Sequence, residues 1–278
     1  MGPSVFNLLY KYRKFDTRAL RILVSKELYF AAPDALNDPL DCRLPVLSFL
    51  DQIIAAEPVG NSRNILSRLR DMTVTNRTTG GIELMHRTFE TLPLTTGILS
   101  LSRDPTDALL WSHYADGHRG FCLGFEPSYF DDLIANWEQH DLLGASDVNY
   151  VDMPLLPFRN LWFQKAKDIE AAQTAPVANK EVLISEFSES YKRDVIVTVL
   201  TTKSKHWAYE REYRAVREKP GLIAFPAPAL REIIFGLRSS DADRLTVKTL
   251  LDGPEWEHVR FRRPVWTASS FALELENY

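Results

Sequence analysis

The sequence predicts an α+β fold in a single domain, with a mainly antiparallel mixed sheet that is flanked by helices. Segments in which apolar and polar residues alternate, as they do in strands, occur along the chain. Helical segments with one apolar face lie between them in an irregular order, which favours the α+β class. The chain has 278 residues, of which 45% are hydrophobic, and this is enough for one ample core.

The first elements are short, and a larger helical region follows them. Tyr10 to Arg13 is predicted as the first strand, and Asp16 is predicted to cap the helix that comes next. Leu28 to Phe30 is predicted as the second strand. About residues 46–95 are predicted to be a helical insertion, interrupted at residues 58–60 by proline and glycine.

The second half of the chain holds most of the predicted strands. A helix is predicted to start at Asp104, because proline follows this cap and an acidic residue stands three positions after it. The further predicted elements are strands at Gly97–Ser102, Gly120–Phe125, Tyr209–Arg217, Arg231–Phe235, His258–Arg262 and Phe271–Leu275, and a long helix at about residues 179–202.

Charge and cysteine content narrow the classes of function. The net charge of -4 disfavours a broad nucleic-acid-binding face but is compatible with a local basic groove. Two cysteines, Cys42 and Cys122, cannot form a disulfide framework and indicate a reducing compartment. No apolar run approaches the roughly 20 residues of a membrane span, and no signal peptide is visible. We therefore expect a cytoplasmic protein without membrane contact.

Four blocks interleave charged and aromatic residues more densely than the rest of the chain. Burying a charge is costly unless it is paired, so stability alone rarely requires such a mixture. A site assembled from distant segments does require it, and we predict that the blocks line one concave site. The blocks are Leu9–Arg13, Asn37–Cys42, Trp111–Tyr114 with Gly120–Glu126, and Lys203–Arg214.

The last block carries two carboxylates two positions apart. If Glu210 and Glu212 lie on one strand, both project from one face about 7 Å apart, and Arg214 continues that face. One carboxylate can then stabilise an oxocarbenium-like centre while the other orients an acceptor. A solvated strand face with cross-strand ion pairs explains the same pattern. The aromatic residues Trp207 and Tyr209 beside it favour a site.

The third block is predicted to lie on a helix. Trp111 and Tyr114 share one helical face, whereas His113 points away from Trp111 and is either a general base or a hydrogen-bonding cap. The histidines lack the spacing of a zinc site, so we expect no metal. Cys122 stands in a Gly-x-Cys-x-Gly pattern, but without the strand–turn–helix context of a hydrolase elbow it is predicted to be a small buried residue.

The first two blocks supply supporting groups. A turn before proline explains Asn37 and Asp38 but leaves Asp41 unexplained. Lys11 and Arg13 share one strand face, which suits a phosphate or carboxylate, although charge on an exposed edge strand explains them equally.

Together these motifs resemble a bacterial and phage-borne family known as domain of unknown function 2971. The resemblance covers about residues 8–240, with Leu36 in place of the usual aromatic residue. It implies a context of mobile elements and defence genes, and therefore a toxin or an anti-phage effector. The matching residues are Leu9–Arg13, Asn37–Asp41, Ser100–Ser102, Trp111–Ala115, His118, Gly120 and Trp207–Arg214.

A second resemblance is to ADP-ribosyltransferases of the arginine–serine–glutamate type. Arg13, Ser100-Leu101-Ser102 and Glu210-Arg211-Glu212 follow the order of that family's basic residue, Ser-x-Ser strand and Glu-x-Glu pair. The resemblance implies that Arg13 and the serines position NAD and that the last carboxylate binds the nicotinamide ribose. The Trp-Ser-His-Tyr helix has no counterpart in that family.

Three hypotheses follow: an ADP-ribosyltransferase-like effector that uses NAD, a hydrolytic effector (a nuclease or glycosidase) with a His/Glu/Asp site, and a non-catalytic sensor or nucleotide-binding module. A protein or nucleic acid is the expected target, and an antitoxin or sensor protein is a further expected partner. The predicted catalytic residues are Glu212, Glu210 and His113. The predicted NAD contacts are Tyr10, Tyr12, Arg13, Ser100, Ser102, Trp111 and Tyr114. The predicted supporting residues are Asn37, Asp38, Asp41, Lys203, Trp207 and Arg214.

Overall fold

A computed structural model of the chain describes residues 8–74, 95–174, 176, 190–191, 193–266 and 272–278. The chain divides into two compact units. The first unit comprises Met1–Phe30, Ile98–Val148 and His206–Tyr278, and the second comprises Ala31–Gly97 and Asn149–Lys205. The mixture of helices with a large, mostly antiparallel sheet confirms the predicted α+β class. The single-domain organisation stays a prediction.

An eight-stranded sheet forms the centre of the first unit. Its strand order is β12-β11-β10-β4-β1-β3-β8-β5, and β10 and β11 run parallel. Strands β2 and β9 form a separate antiparallel pair, and β6 and β7 form a parallel pair in the second unit. The strands are β1 (Leu9–Arg13), β2 (Glu27–Phe30), β3 (Gly97–Ser102), β4 (Phe121–Phe125), β5 (Leu142–Asp147), β6 (Asn149–Val151), β7 (Thr202–Ser204), β8 (Glu212–Arg217), β9 (Gly221–Ala224), β10 (Leu230–Phe235), β11 (Arg260–Trp266) and β12 (Leu273–Asn277).

The predicted helical insertion contains two helices, α2 and α3, and the break between them at residues 58–60 is confirmed. The remainder of that insertion, residues 75–94, lies outside the described residues, as does much of the helix predicted at 179–202, of which residues 193–200 are helical. The helices are α1 (Thr17–Ser25), α2 (Val46–Ala56), α3 (Asn61–Val74), α4 (Ala108–Tyr114), α5 (Pro127–Ala135), α6 (Trp137–His140), α7 (Leu155–Thr174) and α8 (Asp241–Leu250).

Both faces of the eight-stranded sheet are covered in the first unit. On one face, Leu9, Leu123 and Tyr213 belong to an apolar cluster that also includes residues of α1, α5 and α8. On the opposite face, a smaller cluster joins residues of β1, β4 and β10 to α4. Because side chains alternate along a strand, Glu212 and Arg214 lie opposite Tyr213, on the face of the smaller cluster.

Two predicted helix starts have different outcomes. Asp16 caps α1 as predicted, since its carboxylate accepts a hydrogen bond from the backbone of Ala19 at 2.8 Å. The start predicted at Asp104 is wrong: the cap of α4 is Asp107, which accepts from Leu110 at 2.9 Å. Asp104 instead closes a local turn onto Thr106, and this competing side-chain contact delays the helix by three residues.

Most predicted strands occur close to their expected places, including β1, β3, β4 and β10. The strand predicted at His258–Arg262 is observed two residues later, as β11. Among the described residues, no helix combines the length and the apolar character that a membrane crossing requires.

Candidate functional site

Glu210 and Glu212 do not share a strand face. Glu210 is the last residue of a 3-10 turn, Lys205–Glu210, and Glu212 is the first residue of β8. Between them, Arg211 has a φ of 44°, a left-handed conformation that no strand residue adopts. The prediction of a paired i, i+2 face is therefore wrong, because the backbone turns at Arg211. Both carboxylates are nevertheless buried.

Glu210 receives a short hydrogen bond from Tyr114. The Tyr114 hydroxyl donates to Glu210 Oε1 at 2.6 Å, and Ser102 Oγ donates to the Glu210 backbone carbonyl at 2.7 Å. Two neighbouring elements, β3 and α4, thus meet the 3-10 turn at Glu210, which follows their contacting residues by 108 and 96 positions. Tyr114 is half-buried, so this end of the cluster extends towards the protein surface. We call Tyr114, Glu210 and Ser102 the carboxylate cluster.

Glu212 is bound by a guanidinium instead. Arg214 Nε lies 2.7 Å from Glu212 Oε1, and Arg214 Nη2 lies 3.0 Å from Glu212 Oε2, so the pair is bidentate. Arg214 is 1% exposed and Glu212 is 5% exposed. A buried charge pair of this geometry compensates its own desolvation, and the negative charge of Glu212 is largely neutralised.

Helix α4 carries a buried tryptophan on one side and an exposed histidine on another. Trp111 is fully buried, packs edge-on against Tyr12 with ring centroids 5.1 Å apart, and donates from Nε1 to the Pro105 carbonyl at 2.9 Å. His113 is exposed and makes an edge contact with Tyr114. Trp111 is thus a core residue, and its predicted contact with NAD stays a prediction.

A third buried carboxylate, Glu232 on β10, was not singled out by the sequence. The Tyr10 hydroxyl donates to Glu232 Oε1 at 3.0 Å, and Arg260 lies 3.4 Å from its other oxygen. Burial and the negative charge of Glu232 raise the pKa of Tyr10. The available signal in the sequence was a glutamate directly before the apolar residues Ile-Ile-Phe. The hydrogen bond to Glu232 places the Tyr10 hydroxyl in the interior of the sheet.

The remaining predicted NAD contacts have separate surroundings. The Tyr12 hydroxyl donates to the Asp104 carbonyl at 2.6 Å, and the Ser100 carbonyl accepts from Lys11 Nζ at 2.7 Å. Burial, and then the charge of Arg13, lower the pKa of Lys11 to about 8, against the opposing effect of Glu212. The Arg13 guanidinium has no hydrogen-bond or ion-pair partner among the described residues, and burial lowers its pKa.

The second block lies in the second unit. Asn37 is exposed, and Asp38 accepts from the backbone of Leu40 at 2.9 Å, which is the turn that the sequence predicts. Asp41, unexplained by that turn, is buried and lies 3.6 Å from Lys203 Nζ in the same unit. These residues form a structural ion pair and turn, and their supporting role stays a prediction.

Two aromatic residues of the last block lie in the first unit. Trp207 and Tyr209 are half-buried, with ring centroids 6.1 Å apart, within the turn that ends at Glu210.

Cys122 is fully buried within β4, as predicted. In the part of the chain that the structure describes, no group of three His, Cys, Asp or Glu side chains is placed to hold a metal ion.

Residues 110–215 match the sequence model of a family described as "Protein of unknown function (DUF2971)". This part of the chain is similar to that family. The match contains both partners of the Tyr114–Glu210 hydrogen bond and of the Glu212–Arg214 pair, whereas the blocks at Leu9–Arg13 and Asn37–Cys42 lie outside it. No curated protein and no solved structure matches the chain.

Proposed function

We propose that the protein is a cytoplasmic effector enzyme that cleaves the nicotinamide–ribose bond of NAD and transfers ADP-ribose to a protein or nucleic-acid acceptor. The observation that supports this proposal is the 2.6 Å hydrogen bond by which Tyr114 orients the buried carboxylate of Glu210. Cleavage of a glycosidic bond develops positive charge at the ribose carbon, and an oriented carboxylate stabilises that charge.

In this proposal Glu210, rather than Glu212, is the catalytic carboxylate. The Tyr114 phenol orients Glu210 without adding a charge, whereas Arg214 places a positive charge directly beside Glu212. Glu212 then acts as a positioning residue, since it starts the strand that follows the turn. Nicotinamide departs with the bonding electron pair, and the acceptor atom bonds to the ribose carbon and releases its proton. The exposed imidazole of His113, one residue before Tyr114, is the proposed proton acceptor.

The proposal is tested by nicotinamide release from NAD, measured for the wild type and for Glu210→Gln at matched soluble yield. Glu210→Gln keeps the size of the side chain and loses its charge, so we expect a fall in rate on the order of a hundredfold. Glu257→Gln, at an exposed position, is the matched control and should keep the wild-type rate. Equal rates for wild type and Glu210→Gln would remove Glu210 from the mechanism.

A second candidate function is a non-catalytic binding module. The observation that favours it is that both carboxylates already have partners within the protein, as a structural polar cluster would. A binding module would release no nicotinamide with any acceptor, and its effect on growth would survive Glu210→Gln. Free ADP-ribose as the sole product would instead identify water as the acceptor and a hydrolytic enzyme.

The cellular role proposed is that of a toxin or anti-phage effector whose activity an antitoxin or sensor protein restrains. Growth arrest on expression of the wild type, relieved by Glu210→Gln, would support this role. Arrest of equal strength with both proteins would separate toxicity from the proposed chemistry.

A further inference from the structure

The arginines of the first unit fall into two groups according to whether a carboxylate binds them. One group is ion-paired, for example Arg231 with Glu126 at 3.7 Å and Arg263 with Glu276 at 3.5 Å. The other group has no carboxylate partner among the described residues. Its members are Arg13, Arg18, Arg21, Arg119 and Arg238.

Three of the unpaired arginines, Arg13, Arg119 and Arg238, lie at one end of three neighbouring strands. Across the sheet, Arg13 of β1 is aligned with Phe121 of β4, which is aligned with Phe235 of β10. Arg119 precedes Phe121 by two residues, and Arg238 follows Phe235 by three, so both extend beyond the same end.

Close backbone contacts hold these segments together. A Cβ atom added to Gly120 would lie 2.0 Å from the Arg13 carbonyl oxygen, and one added to Gly236 would lie 2.2 Å from that of His118. The Arg238 backbone also donates to the His118 carbonyl at 2.8 Å. Side chains at either glycine are therefore excluded, and the arginines beside them are kept near one another.

Positive charge at this end of the sheet also affects neighbouring groups. Burial lowers the pKa of Arg13; the negative charge of Asp16 opposes this shift, and the positive charge of Arg18 adds to it. Burial, and then the positive charge of Arg238, lower the pKa of His118. Buried atoms of both affected side chains, Arg13 Nε and His118 Nδ1, have no hydrogen-bond partner in the described structure. Acidic residues close to these arginines in the sequence have other roles: Asp16 caps α1 and pairs with Lys14, the Asp116 carbonyl accepts from Arg119, and Asp241 pairs with Arg244.

We propose that the surface formed by Arg13, Arg18, Arg119 and Arg238 binds the phosphate backbone of a nucleic acid. Guanidinium groups bind phosphate oxygens in a bidentate manner, and none of these four forms an ion pair with a carboxylate of the described residues. Arg18, Arg119 and Arg238 are exposed and stand on separate segments, so successive phosphates of a polymer can meet all of them. In a chain of net charge -4, this surface is a local concentration of positive charge, which overall acidity does not exclude. Arg21 follows Arg18 by about one helical turn and extends the surface along α1.

Binding is measured by fluorescence anisotropy with a labelled 20-nucleotide single-stranded RNA, over a series of potassium chloride concentrations and without NAD. Four phosphate contacts predict that log K falls with log[salt] with a slope of about -3. The double variant Arg18→Gln/Arg238→Gln should weaken binding about tenfold or more at low salt and make the slope shallower by about 1.5. Neither residue belongs to the proposed catalytic cluster, and circular dichroism checks that the variant is folded.

The matched control is Arg231→Gln/Arg263→Gln, which removes the same net charge from exposed arginines that are already ion-paired. It should leave the slope unchanged. An equal loss in both double variants would reveal a net-charge effect and overturn the assignment. Absence of RNA binding at low salt, or binding to phosphatidylserine vesicles without RNA binding, would also overturn it. Because no NAD is present, failure of this proposal is distinguishable from failure of the proposed transferase.

Discussion

Glu210 ends a 3-10 turn and Glu212 begins the strand that follows it. The two glutamates are separated by one residue, but they have different partners. Glu210 accepts from a phenol at 2.6 Å, and Glu212 is held by a guanidinium through two bonds. The phenol lies on half-buried Tyr114, whereas Arg214 is 1% exposed.

The comparison indicates that the partner of a buried carboxylate, not the residue type, determines what the carboxylate can do. A hydrogen bond from a neutral donor orients the charge and preserves it, but a bidentate arginine neutralises it. We therefore expect the strand to depend on its glutamate for stability and the turn to depend on its glutamate for chemistry.

The largest expected effect is on the strand. Arg214→Met removes the guanidinium that binds both carboxylate oxygens of the buried Glu212, so the free energy of unfolding should fall by about 3–5 kcal/mol. The free energy of unfolding is measured by urea denaturation of the wild type and the variant. Arg263→Met, in an exposed ion pair, is the control and should cost at most about 1 kcal/mol. A loss as small as that control would mean that Glu212 finds other compensation.

A similar loss is expected where α4 supports the turn. Trp111→Ala empties a fully buried site and should cost about 3–5 kcal/mol in the free energy of unfolding. His113→Ala, two positions later and exposed, should change it by less than about 0.5 kcal/mol while lowering nicotinamide release. Equal melting temperatures for the two variants would contradict the distinction between core and surface on this helix.

The hydrogen bond at the turn is expected to have an intermediate effect. Tyr114→Phe deletes the donor to Glu210 and should cost about 1.5–3 kcal/mol, because the acceptor is a carboxylate. Tyr129→Phe deletes a bond to the neutral Ala224 carbonyl and should cost about 0.5–1.5 kcal/mol. Thermal unfolding of both variants tests the order. If Tyr129→Phe proved the more damaging, Glu210 would not depend on Tyr114 for its position.

The smallest expected effect concerns Lys11, whose pKa is lowered to about 8 in the folded protein from an ordinary value of 10.5. Between these two values the unfolded chain binds more protons than the folded chain, so this group makes the wild type more stable as the pH rises. Lys11→Met lacks the effect. The difference in unfolding free energy, wild type minus variant, should therefore increase from pH 8 to pH 10. A difference that stays constant across that range would show that Lys11 is not perturbed.

Local pattern was sufficient for much of the fold and for part of the site. The alternation at Gly97–Ser102 and the Asp16 cap each depend on neighbours within a few residues, and both are confirmed. Of the residues that form the carboxylate cluster, Tyr114 and Glu210 were named from the mixture of charge and aromatic character, and Ser102 from the two family resemblances. Whether they act on NAD stays a prediction.

Only the tertiary structure decided which groups meet. Tyr10 and Glu232 are separated by 222 positions, and no periodicity relates residues so distant. The left-handed turn at Arg211 overrode the strand pattern of Glu210 and Glu212, because the turn lets the Tyr114 hydroxyl reach Glu210 while Arg214 takes Glu212. The sequence therefore identifies polar residues that will need partners when they are buried, because burying an unpaired charge is costly. The packing of distant strands determines which residues become those partners.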